Sequence, residues 1–139
     1  MSNLVVDASV AVKWLIQEPL SDKAIAVLAR PEALIAPDLL VAEVANVLWK
    51  KVRSGELTEI VALERFAALR SMGLDLRPSP PLAARALSFA IEAKRTVYDA
   101  LYLALAEQED CLFVTADERF VNALMHMKEG KRAVWLGTF

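Results

Sequence analysis

The chain has 139 residues, 18 acidic and 16 basic side chains for a formal net charge of −2, and 56% hydrophobic residues. That length suits one domain over 1–139, and the apolar share excludes a mostly disordered chain. The longest stretch free of charge, the eight residues Phe120 to Met127, falls short of the ~20 that a membrane-spanning helix needs.

The predicted elements alternate between strand and helix along the chain. Leu4–Val6 reads as a short strand and Ser9–Ile16 as a helix, broken by Pro19. Ser21 is placed to cap a second helix through Ala29, and Ala33–Ala36 is a strand ended by Pro37. A long helix over Asp38–Arg53 stops at Ser54-Gly55, and Thr58 caps another that runs to Met72 before Gly73. Leu74–Leu76 is a weak third strand. Ser79-Pro80 starts a helix reaching Ala93, and Thr96 starts one through Gln108. Leu112–Val114, Asp117–Met127 and Ala133–Leu136 complete the series as strand, helix and strand. Short apolar strands separated by helices predict a parallel sheet covered on both faces, an α/β sandwich.

Composition also narrows the chemistry. One His (His126) and one Cys (Cys111) exclude a zinc site of Cys and His alone, and any Ser-His-Asp or Cys-His arrangement would have to use His126. The single cysteine allows no internal disulfide, and the N-terminus lacks the basic lead of a signal peptide, so a cytoplasmic location is expected. Carboxylates remain as the working groups, and any nucleic-acid signal must be local.

Four acids stand where a solvated face would not put them. Asp7 is the only charge in the first twelve residues, at the end of a strand. Glu43 is the only charge between Leu39 and Trp49, in a helix apolar nearly all round. Asp99 is the only charge from Thr96 to Ala106, and Asp117 directly follows the fourth strand. A carboxylate in apolar surroundings needs a partner, and the first three have none within their own segments.

A parallel sheet can bring the four together at its carboxyl edge, where open α/β folds place their ligands. Asp7 and Asp117 end strands, while Asp99 and Glu43 lie about 4.5 and 7.5 Å inside helices that can start at that edge. Two carboxylates about 5 Å apart repel by roughly 3 kcal/mol at an effective dielectric near 20, so a counter-charge is required. Oxygen-only ligands select Mg²⁺ or Mn²⁺ before zinc, and such a site can activate water for displacement at phosphorus.

Simpler roles exist for each acid. Thr96-x-x-Asp99 is also a capping box, and Asp117 and Asp7 can cap the helices that follow them. Glu43 caps nothing, and its simpler role is a buried salt bridge to a distant Arg.

In this order, VVDASVAVKW, APDLLVAEVANVLWK, TVYDALYLALAE and FVTADERF resemble the motifs of PIN-domain ribonucleases, above all the VapC-type toxins of toxin–antitoxin pairs. The resemblance spans nearly the whole chain. It implies a three-layer α/β/α sandwich with a five-stranded parallel sheet of order 3-2-1-4-5, in which Asp7 lies beside Asp117. It implies Mg²⁺- or Mn²⁺-dependent cleavage of single-stranded RNA, with Asp7 and Asp99 as metal ligands and Asp117 joining directly or through water. Glu43 would bind a second metal or orient the attacking water. Asn46 would support Glu43 from one turn on. Ser9 and Thr115 would orient ligands or phosphate, local capping being the other role open to them. A homodimer and a small antitoxin covering the cleft are the implied partners, and no membrane is expected. A stand-alone PIN nuclease, or a non-catalytic interaction module, are the other readings.

Lys13, Lys94, Arg95 and Arg119 are candidates for the RNA backbone. Lys50, Lys51 and Arg53 are expected to answer the dipole of their helix. Trp14 is expected to pack a dimer rather than stack a base, and the apolar excess to mark an interface.

Overall fold

The computed structural model describes residues 2–139. Strands β1 (Asn3–Val6), β2 (Ala33–Pro37), β3 (Asp75–Arg77), β4 (Leu112–Thr115) and β5 (Ala133–Trp135) form one parallel sheet in the order β3-β2-β1-β4-β5. This is the expected order. Val5, Val6, Ile35, Ala36, Phe113 and Val114 are all 0% exposed, which is why the central strands read as unbroken apolar runs.

Helices α1 (Ala8–Leu15), α2 (Ser21–Leu28), α3 (Leu39–Arg53) and α4 (Glu59–Ala68) connect β1 to β2 and β2 to β3. Helices α5 (Ala83–Ala93) and α6 (Val97–Gln108) carry the chain back to β4, and α7 (Glu118–Leu124) leads to β5. Right-handed crossovers put the first four on one face and the last three on the other. Ala100 to Ala106 of α6 are all buried, and the helix packs on β1, β2 and β4 with α5 outside it. That burial explains a helix apolar all round. Truncating Leu103 or Leu105 to Ala would cost about 2–5 kcal/mol.

Several local expectations are corrected. Ser21 does not cap α2: Leu20 holds that position in the left-handed region (φ 70°). The Ser21 hydroxyl instead donates to the Ile16 carbonyl (3.1 Å) and accepts from the Glu18 N–H (2.9 Å), closing the turn after α1. Ser79 does not cap a helix either, because its N–H and hydroxyl both donate to Asp38 Oδ1 (3.2 and 2.5 Å). Pro80–Leu82 then makes one 3-10 turn before α5 begins. α4 ends at Ala68 and tightens into a 3-10 turn, Leu69–Met72, before Gly73 at φ 78°. α7 stops at Leu124, three residues short of Met127, β3 shifts by one residue, and β5 ends one residue early at Trp135. Thr58 and Thr96 cap as expected, accepting from Val61 and Asp99 N–H groups.

Trp14 is not available to pack a dimer: it is 8% exposed in the chain's own core and donates its indole N–H to the Ala24 carbonyl (2.7 Å). Cys111 is half-buried against the core, and His126 is exposed. Among the described residues, no helix is long and apolar enough to cross a membrane.

Candidate active site

Asp7 follows β1 and stays in register with its neighbour, its N–H donating to the Val114 carbonyl (3.0 Å). Its carboxylate does not cap α1. Oδ2 accepts instead from Ser9 Oγ (2.6 Å) and Thr115 Oγ1 (2.8 Å). The two hydroxyls in turn accept the N–H groups of Ala116 (3.0 Å) and Asp117 (3.1 Å), so the ends of β1 and β4 are stitched through one carboxylate. Burial pushes the Asp7 carboxyl above its ordinary value against the pull of both hydroxyls, and the charge of Asp99 pushes it further.

Glu43 projects from α3 and has no cationic partner among the described residues. The hydroxyl of Tyr102, from α6 on the opposite face, donates to its Oε1 at 2.5 Å. The buried salt bridge to an Arg is thus replaced by a phenol. Burial lifts the Glu43 carboxyl to about 7, with Asp7 and Asp99 adding to the rise and Tyr102 opposing it. Tyr102 is itself fully buried, stacked on Phe113 with centroids 5.8 Å apart. Burial, then the charges of Asp7 and Glu43, keep its phenol protonated.

Asp99 and Asp117 share a cation. Arg95, between α5 and α6, places Nη2 3.1 Å from Asp99 Oδ2 and 2.9 Å from Asp117 Oδ2, and its Nε donates to Asp99 at 3.2 Å. Its guanidinium also lies 4.8 Å over the Phe120 ring. Asp117 caps α7 through Oδ1, which accepts from the Phe120 N–H (3.2 Å), and still offers Oδ2 to Arg95.

All four acids, with Ser9 and Asn46, line one open cleft of about 460 Å³. Thr115 is 0% exposed and lies outside the lining, holding Asp7 from below. Among the described residues, the cation on the cleft wall is Lys50, two turns along α3 from Glu43 and one from Asn46. The expected backbone cations fare otherwise. Lys13 bonds Glu18 (3.4 Å), Arg95 turns to the acids, and the exposed Lys94 and Arg119 do not line the cleft. Sequence reasoning also misses Tyr102 and Tyr98, the latter 60% exposed on the rim. The spacing Asp99-x-x-Tyr102 on one helix face was the available signal for Tyr102.

Four carboxylates, with those of Asp7 and Glu43 raised first by burial and then by neighbouring acids, and with no sulfur or imidazole among the described residues lining the cleft, are a donor set suited to a hard divalent cation. As arranged here, no three His, Cys, Asp or Glu side chains among the described residues stand together as a ligand group. Asp7 faces its hydroxyls, Glu43 its phenol, and Asp99 and Asp117 the guanidinium.

The PIN domain family profile matches residues 4–123. Ribonuclease VapC3 of Pyrobaculum aerophilum is 34% identical over 121 residues, covering 86% of this chain and 92% of that protein. Ribonuclease VapC1 of Mycobacterium tuberculosis is 33% identical over 125 residues, covering 88% and 92%. Among solved structures, Pyrobaculum aerophilum PAE2754 superposes with a TM-score of 0.73 at 27% identity, over 99% of this chain and 85% of that one. The Mycobacterium tuberculosis toxin VapC20, described as cleaving the sarcin-ricin loop, has the same fold, with a TM-score of 0.68 at 16% identity over 87% and 95%. By sequence and by fold, the chain belongs to the PIN-domain family, in its VapC ribonuclease group.

Proposed function

We propose that this chain is a Mg²⁺- or Mn²⁺-dependent endoribonuclease that hydrolyses single-stranded RNA, the toxin of a toxin–antitoxin pair. The observation that carries this reading is the convergence of four carboxylates, from four separate elements, on one open cleft. Relatives named Ribonuclease VapC, matched over most of both chains, support the substrate class.

Asp7, Asp99 and Asp117 would hold the divalent cation, with Glu43 beside them. The bound cation would supply Lewis-acid polarisation of the scissile phosphate and charge stabilisation during displacement. The protein's own part is positional. Ser9 and Thr115 fix the Asp7 carboxylate, and Tyr102 fixes one Glu43 oxygen while leaving the other to orient a water for in-line attack. Asn46 lines the cleft one turn from Glu43 and offers an amide to the same water, and Lys50 answers the phosphate charge that the acids would otherwise repel.

A cytoplasmic antitoxin and a second copy of the chain are the proposed partners. An apolar hollow of about 600 Å³ between α3 and α4, lined by Leu48, Val52 and Phe66 and edged by half-exposed Trp49, supports a protein contact on that side.

The test is cleavage of a single-stranded RNA by purified protein in millimolar Mg²⁺ or Mn²⁺. Chelator should abolish it, and Asp7→Ala, Glu43→Ala and Asp99→Ala should each remove it. Undiminished cleavage in those variants would show that the activity is not this cleft's.

A further inference from the structure

Among the described residues, Arg95 is the only cation paired with any of the four acids. One of its nitrogens, Nη2, bridges Oδ2 of Asp99 and Oδ2 of Asp117, two carboxylates carried by different helix starts. Those are oxygens that a cation shared by the two acids would need. Beyond the two acids, the side chain's further contact is its guanidinium over the Phe120 ring. It is about a quarter exposed and caps no helix. Its backbone is held independently, the Arg95 N–H donating to the Ala90 carbonyl (3.2 Å) after Lys94 turns the chain at φ 57°. The guanidinium can therefore leave for solvent without unpacking the core or moving either helix.

We propose that Arg95 is a built-in counter-cation, closing the ligand oxygens of Asp99 and Asp117 until a divalent cation expels it. The inference rests on the metal-dependent reading above. Like charges and shared oxygens make the two occupants exclusive, so the chain trades metal affinity for a cleft that is not left with bare, mutually repelling acids. Arg95 acts here through the acids, as a positioning residue.

The test is Mn²⁺ titration of the whole chain, followed by calorimetry and by the paramagnetic signal of free Mn²⁺. Arg95→Met keeps an unbranched stem and removes the charge. It should bind Mn²⁺ about tenfold more tightly, the equivalent of two half-exposed ion pairs. Arg95→Gln should tighten binding in the same sense, and Arg95→Lys, which keeps the charge, should stay close to wild type. Without metal, Arg95→Met should melt lower than wild type yet gain more from Mn²⁺. Equal or weaker Mn²⁺ binding by both neutral variants would overturn the role of Arg95 and leave the metal reading intact. No Mn²⁺ binding by any form, wild type included, would remove both.

Discussion

Tyr102 reaches from a fully buried position on α6 to give its hydroxyl hydrogen to Glu43 on α3, at 2.5 Å. The bond joins the two helical layers across the carboxyl edge of the sheet, and it is the one hydrogen bond holding the Glu43 side chain among the described residues. Tyr102→Phe removes an interaction that lowers the Glu43 carboxyl, so its value should climb further above about 7. If Glu43 acts as the anion, the acid limb of the pH–rate profile should move up by about one pH unit. An unmoved limb would show that Tyr102 only packs.

Asp7 and Glu43 also tie folding to pH. Both carboxyls lie above their ordinary values in the metal-free chain, so the folded state binds protons that the unfolded state releases. Their contribution to stability is full at low pH and falls as pH rises, for Glu43 between about 4.5 and about 7. The melting temperature of metal-free protein should therefore decline between pH 5 and pH 8, and Glu43→Gln should flatten the decline. A melting temperature that rises across that interval would contradict the burial of these acids.

Thr115 is a buried hub. Thr115→Val keeps the shape but deletes the hydroxyl that donates to Asp7 and accepts from the Asp117 N–H. Leaving the Asp117 N–H unpaired and Asp7 with Ser9 alone should cost about 1–3 kcal/mol, seen as a drop of several degrees in melting temperature. Thr115→Ser, which retains the hydroxyl, should recover most of it.

Lys50 lies exposed on the cleft wall. Lys50→Ala should change stability by no more than about 0.5 kcal/mol while raising KM for RNA. The salt dependence of RNA binding should weaken by about one counterion. A changed kcat at constant KM would place Lys50 in the chemistry instead.

The parallel sheet and the four acids were legible because each rests on a local pattern, whereas the strand order came from the family resemblance. Buried parallel strands write themselves as apolar runs, and an acid set alone in such a run has few reasons to be there. Caps at Thr58, Thr96 and Asp117 were legible for the same reason, since their partners lie three residues away. What could not be read were partnerships between distant segments. Glu43 and Tyr102 lie 59 residues apart, and Asp38 and Ser79 lie 41 apart. Arg95 was placed at the right edge, but a long side chain can turn outward to a substrate or inward to acids, and its four rotatable stem bonds leave no trace in sequence. Lys50 was masked by the helix end it sits on, where a cation already has a reason to be.

The hydroxyl of Thr115 lies 108 residues along the chain from the carboxylate it steadies. During synthesis, Asp7, Glu43 and Asp99 all emerge before β4 exists, so a growing chain can carry three of its four acids and still lack the strand that aligns the first. The cleft is completed only when β4 and Asp117 are made, and a product cut short of β4 is left with three acids but not their alignment.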